Sequence, residues 1–347
     1  MVEEHTFSYP DTFSLESGGT LSGFQLHYTT YGTLNSERNN VVWVCHALTA
    51  NADPEEWWPG MVGRGAPIDP DFDFVVCANI LGSSYGTTGP ASIDPRTGRP
   101  YLRDFPQVTV RDMAAAHEVL REHLGIDRID LAIGGSMGGQ QILEWAIAEP
   151  QRFGRLCLLA TNAQHSPWGI AFNQAQRMAL EADPSFFSDD PGGGARGLEA
   201  ARAIAMLSYR HYDAFAATQS EGTDEKLNDY RAATYQTYQG QKLRRRFGAW
   251  SYHVLSRAMD SHHVGRNRSG TEEALATITA ETLVLSINSD VLFPPREQEL
   301  LARHIPGAEW RVFDSLYGHD GFLTEARQIS AALIAWLPAR SPAHLQL

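Results

Sequence analysis

The chain has 347 residues, 43% hydrophobic and 20% charged, which suits a globular protein with a large core and room for one α/β domain plus an insertion. A formal net charge of −13 argues against nucleic acid or an anionic membrane surface as the main partner, yet leaves open a phosphorylated cofactor held by a few local cations. No basic-then-apolar leader opens at Met1-Val2-Glu3-Glu4-His5 and no run of about 18 apolar residues occurs, so the expected location is the reducing cytoplasm.

Residues 24–29 alternate Phe24, Leu26 and Tyr28 with Gln25, His27 and Thr29, the pattern of an antiparallel strand with one wet face. Val41-Val42-Trp43-Val44-Cys45 reads as a fully buried strand ending in His46-Ala47-Leu48-Thr49. A second buried strand, 74–78, runs into the turn-rich segment 79–90. Thr109 to Leu124 has helical periodicity through Met113, Ala116, Val119 and Leu120, with Gly125 as the stop. The apolar run Ile129 to Ile133 then enters Gly134-Gly135-Ser136-Met137-Gly138-Gly139, and Ile142, Trp145 and Ala146 leave it at helical spacing. Residues 156–160 form the next buried strand. Cys45, Cys77 and Cys157 all lie in such strands, as free core cysteines do, and no disulfide framework is implied.

From about 166 to 266 the strand signal stops, and helical stretches are predicted at 167–182, 196–209, 226–240 and 242–260. A helical cap over 166–266, inserted into a discontinuous catalytic domain of 1–165 and 267–347, is the expected organisation. Strand 282–287, helix 296–304, strand 310–313 and helix 321–337 complete the chain. Alternating strands and helices imply an α/β fold, a mostly parallel sheet with helices on both faces.

Gly134-x-Ser136-x-Gly138 between a strand and a helix fits a nucleophile elbow, in which a sharp turn lifts the serine hydroxyl above the sheet at a helix N-terminus. Serine needs a base oriented by a third group, and in this architecture acid and then histidine follow the nucleophile in loops after later strands. Asp290 and His319 occupy those places. His46 is the rival base, but it precedes the serine; Asp314 is the rival acid, five residues before the histidine. The oxyanion-binding amides are expected from Met137, next after the nucleophile, and Leu48, in the loop after strand 41–45.

Taken in order, several motifs resemble one family. They are Cys45 to Thr49, Asn79-Ile80-Leu81-Gly82 with Gly89-Pro90, Phe105 to Met113, Gly134 to Gly139 with Leu143-Glu144-Trp145, Tyr252 with Ala258-Met259-Asp260, Ser289 to Pro294, and Gly318-His319-Asp320. The family is the homoserine O-acyltransferases of the α/β-hydrolase fold, most often acetyltransferases of methionine biosynthesis, and the resemblance spans nearly the whole chain. Thr87 stands where the family tends to have serine, and Gln140 where methionine is common.

The resemblance implies acyl transfer from acetyl-CoA to the side-chain hydroxyl of L-homoserine through a serine acyl-enzyme, in ping-pong order. It also implies a homodimer, no metal, and no cofactor beyond acetyl-CoA as co-substrate. By position Arg202 and Tyr209 match the family's substrate-binding pair and Asp320 its substrate-binding aspartate. A guanidinium suits the acceptor's carboxylate and a carboxylate its ammonium. Ile204, Ala205 and Leu207 are the expected core positions of that helix, leaving Arg202 and Tyr209, seven apart, on another face. Succinyl-CoA as donor, L-serine as acceptor and hydrolysis on the same three residues stay open.

Overall fold

The computed structural model describes residues 2–338. Its sheet contains β1 (Val2–Ser14), β2 (Thr20–Tyr31), β3 (Val41–Cys45), β4 (Phe74–Ala78), β5 (Ile129–Gly135), β6 (Phe153–Leu159), β7 (Glu281–Ile287) and β8 (Glu309–Phe313). In space they run β1-β2-β4-β3-β5-β6-β7-β8. The β1–β2 and β2–β4 pairs are antiparallel and all other neighbours parallel.

The longer helices are α1 (Val110–His123), α2 (Met137–Ala148), α3 (Pro167–Glu181), α4 (Ala195–Tyr209), α5 (Tyr212–Gln219), α6 (Arg231–Arg244), α7 (Ala249–Asp260), α8 (Pro295–His304) and α9 (Ala326–Trp336). Side chains alternate along a strand, so Val41, Trp43 and Cys45 join one apolar layer and Val42 and Val44 the other. Met113 and Leu120 of α1, Ile142 and Trp145 of α2 and Leu301 of α8 fill the first layer. Ile329 and Leu333 of α9, with Trp58, Met61 and Ile68 from an irregular segment, fill the second. A capping box between Thr109 and Asp112 starts α1, and Gly125, at φ 62°, follows its end.

Between β6 and β7 the described residues hold helices and no strand, only an isolated bridge of Gln164 with His263. Leu180, Leu198, Ala201, Leu243, Tyr252 and Leu255 give these helices a buried centre. Arg177 Nη2 donates to Asp260 Oδ2 at 2.5 Å and Asn173 Nδ2 to Asp260 Oδ1 at 2.8 Å, joining α3 to α7. At the root of the insertion, buried Glu144 accepts from Arg111 at 3.0 Å and from Arg268 at 2.8 Å, while Arg111 and Arg266 both reach Glu16. That network ties the β1–β2 turn, α1 and α2 to the chain returning from the inserted helices.

The structure corrects the sequence reading in five places. Val2–Ser14 is a strand the pattern did not reveal, because Pro10 interrupts its alternation; the register shifts there, between Tyr9 and Thr12. The stretch predicted as 226–240 is α6, which begins at Arg231 and runs past Gly240 to Arg244, and α5 precedes it unforeseen. The next begins only at Ala249, behind Gly248. The last helix breaks at Glu325 into Gly321–Thr324 and α9.

Candidate active site

Gly134 and Gly138 allow the elbow for a steric reason. A Cβ on Gly134 would lie 2.7 Å from the Cys45 carbonyl oxygen and 2.8 Å from the Gly138 carbonyl carbon, so β3, β5 and the first turn of α2 meet backbone to backbone. Between them Ser136 adopts φ 56° and ψ −125°, a conformation costing about 1–3 kcal/mol and held by its neighbours. Its N–H donates to Leu159 O at 2.9 Å and its carbonyl accepts from Thr161 Oγ1 at 2.8 Å.

The side chains the sequence singled out then come together. Ser136 Oγ lies 2.9 Å from His319 Nε2, and His319 Nδ1 lies 2.7 Å from Asp290 Oδ2. All three residues are buried. Asp290 Oδ1 accepts the N–H groups of Leu292 at 2.9 Å and Phe293 at 2.8 Å, which fixes the carboxylate. With Nδ1–H directed at Asp290, Nε2 is the free lone pair facing the serine hydroxyl. Asp314, the rival acid, is exposed and accepts instead from Asn288 Nδ2. His46, the rival base, is buried with Nε2 2.8 Å from Asn79 Oδ1 and Nδ1 2.9 Å from Ala47 O, and burial pushes its pKa down.

Met137 and Leu48 are both buried at the C-terminal ends of β5 and β3. Met137 is the first residue of α2, where an N–H has no intrahelical acceptor. Neither its N–H nor that of Leu48 donates to a protein acceptor among the described residues. The two residues that depart from the resembled pattern have structural partners: Thr87 Oγ1 accepts from His27 N at 2.9 Å, and Gln140 Nε2 donates to Asn162 Oδ1 at 2.9 Å.

Aromatic rings enclose the imidazole; the sequence names Tyr209 for the acceptor site, but no pattern announces Phe293 and Phe322 as rings against His319. Phe293 stacks on it at 4.8 Å and 19°, Phe322 stands edge-on at 5.3 Å, and Tyr209 of α4 approaches at 5.9 Å. The Arg202 guanidinium lies 5.1 Å from the Tyr209 ring centroid. Arg202 and Tyr209 therefore share a face that leads to His319, and the Arg202 side chain has no carboxylate partner among the described residues. Burial raises the Tyr209 pKa. Of the three positions expected in the core, Ala205 is buried, Ile204 half-buried and Leu207 58% exposed; α4 also buries Ala201 and Met206. Asp320 is already engaged: Oδ2 accepts from Arg210 Nε at 2.7 Å, leaving Oδ1 without a partner among the described residues.

Residues 40–326 match the alpha/beta hydrolase fold family. The homoserine O-acetyltransferase of Cyclobacterium marinum is 47% identical over 96% of this chain and 94% of its own. A crystal structure of homoserine O-acetyltransferase from Bacillus anthracis superposes with a TM-score of 0.90 at 26% identity, covering 98% of each chain. Esterase E22 shares the fold at a TM-score of 0.88 and 24% identity, over 97% of this chain and 100% of its own. The chain belongs to the homoserine O-acetyltransferase family of the α/β-hydrolase fold.

Proposed function

We propose that this protein transfers the acetyl group of acetyl-CoA to the side-chain hydroxyl of L-homoserine through an acyl-enzyme at Ser136. The reading is carried by the relay from Ser136 Oγ through His319 to Asp290, with spacings of 2.9 and 2.7 Å. The name of the relatives supports homoserine as the acceptor and acetyl as the group moved; acetyl-CoA as the donor belongs to this proposal.

In the first half-reaction His319 Nε2 takes the serine proton as Oγ attacks the thioester carbonyl. The negative charge that develops on oxygen meets the Met137 and Leu48 amides, dipoles fixed in place before the reaction starts. The tetrahedral adduct collapses with cleavage of the C–S bond, and the imidazolium, stabilised by Asp290, returns its proton to the departing thiolate. In the second half-reaction His319 removes the proton of the homoserine hydroxyl, whose oxygen attacks the acyl-enzyme; the ester bond to Ser136 breaks and the imidazolium returns the proton to Ser136 Oγ. Arg202 and Tyr209 hold the acceptor's carboxylate, and Oδ1 of Asp320 faces its ammonium.

The helices between β6 and β7 act as a cap that limits water access to the acyl-enzyme, favouring transfer over hydrolysis. The family reading carries a homodimer with it. No described helix is long and apolar enough to cross a membrane. A donor-by-acceptor assay tests the function: acetyl-CoA or succinyl-CoA against homoserine, serine or water alone. Fastest turnover with acetyl-CoA and homoserine supports it. Preference for succinyl-CoA or serine, or an acyl-enzyme that goes mainly to water, overturns the corresponding part.

A further inference from the structure

In a chain of net charge −13, Lys242, Arg244, Arg245 and Arg246 fall within five residues, its densest run of cations. All four are exposed, while Leu243 and Phe247 are buried. The helical path continues past the end of α6, since the N–H groups of Arg246 and Phe247 both donate to Leu243 O at 3.0 Å. Helical spacing therefore sorts the cations by direction. Arg244 faces α4 and pairs with Glu199 at 2.8 Å. Lys242, Arg245 and Arg246 stand at i, i+3 and i+4 on another face.

Arg246 fixes where that face begins. Its Nη1 donates to the Thr49 carbonyl and to the Tyr85 hydroxyl. Thr49 follows Leu48, whose amide is one of the two proposed oxyanion donors. The face thus starts at the loop that receives the acyl carbonyl and runs outward for about 6 Å of helix to Lys242. The side chains of Lys242 and Arg245 have no partner among the described residues. Cations near a helix C-terminus gain from its dipole, which suffices for Arg244. That gain gives no reason for three to share one helix face, the face whose Arg246 reaches Thr49. Unpaired cations on an otherwise acidic surface concentrate field for a polyanion.

We propose that Lys242 and Arg245 bind the phosphates of the acyl donor's nucleotide while its thioester reaches Ser136, an inference resting on the acetyl-CoA reading above. Arg246, committed to the loop, sets the direction of entry. The test compares wild type with Lys242→Gln/Arg245→Gln on two donors, acetyl-CoA and S-acetyl-N-acetylcysteamine, a thioester without phosphates. Circular dichroism verifies folding. The wild type should prefer acetyl-CoA. The double variant should narrow the ratio of the two kcat/KM values about tenfold or more, through KM for acetyl-CoA, and flatten its salt dependence. Lys242→Arg/Arg245→Lys should keep the wild-type ratio. A folded Gln variant with an unmoved ratio overturns the phosphate site. A wild type that takes no acetyl group from acetyl-CoA overturns the donor assignment itself, a separate failure visible before any variant is made.

Discussion

Substituting Gly138→Ala tests whether close backbone packing sets the oxyanion geometry. The added Cβ would stand 2.9 Å from the Cys45 carbonyl carbon, 3.3 Å from the His46 oxygen, and closer still to the Cys45 oxygen. All three are backbone atoms at the end of β3, so no side chain can swing aside. Buried Ile142 and Trp145 hold α2 against retreat. The strand end must yield by about 1 Å, and it carries the loop that presents Leu48. Overpacking of this kind costs about 1–3 kcal/mol, and a displacement near 1 Å at reacting groups costs about 100-fold in rate. Urea denaturation and stopped-flow acylation by acetyl-CoA measure the two effects, with Gly222→Ala, where a Cβ meets nothing within 4 Å, as control. A Gly138→Ala enzyme within twofold of wild-type acylation and of unchanged stability would mean that this contact does not set the oxyanion geometry.

Asp290→Asn puts an amide nitrogen where the carboxylate now accepts from His319 on one side and from two backbone N–H groups on the other. The rate constant kcat should fall by about 10³–10⁴-fold; near-normal turnover would move attention to Asp314. Arg202→Ala should raise KM for homoserine about 10- to 150-fold and slow the transfer half-reaction, read by single-turnover mixing of acyl-enzyme with acceptor. An unchanged KM would remove Arg202 from the acceptor site. Stability should also decline below pH 6.5. Burial lowers the pKa of His117 and His262 to about 4 and of His165 to about 3, against an ordinary 6.5. The unfolded chain therefore binds protons first as pH falls, and each histidine costs about 2 kcal/mol by pH 5, with no penalty above pH 6.5. Buried Asp112 and half-buried Asp260 and Glu297, whose pKa values desolvation raises, offset part of this at lower pH. Urea midpoints that stay flat from pH 7.5 to 5 would contradict the linkage.

The parts legible in sequence were those dictated by local sterics. The elbow needs glycine at 134 and 138 because backbone meets backbone there, and β3 to β6 are buried strands whose apolar runs carry their own signal. The order of serine, acid and histidine follows from topology, and the structure brings Ser136, Asp290 and His319 into one chain of hydrogen bonds. What escaped depends on contacts distant in sequence. The rings of Phe293 and Phe322 against His319, and the approach of Tyr209 to the same imidazole, come from three separate elements, and the Arg210–Asp320 pair joins residues 110 apart. The edge strand β1 was hidden because Pro10 breaks the alternation that marks a strand, and the β1–β2 pairing absorbs it as an irregularity. The face of α4 was misjudged at Leu207, since apolar character alone does not say which neighbour a helix meets.

The most direct measurement is mass spectrometry of the intact protein after mixing with acetyl-CoA and no acceptor. The account predicts a mass increase of one acetyl group, mapped by peptide analysis to Ser136, absent in Ser136→Ala, and discharged on adding homoserine with appearance of O-acetylhomoserine. An acetyl group on another residue, a Ser136→Ala enzyme that still turns over, or product formed only when both substrates are present together with no covalent adduct would contradict it.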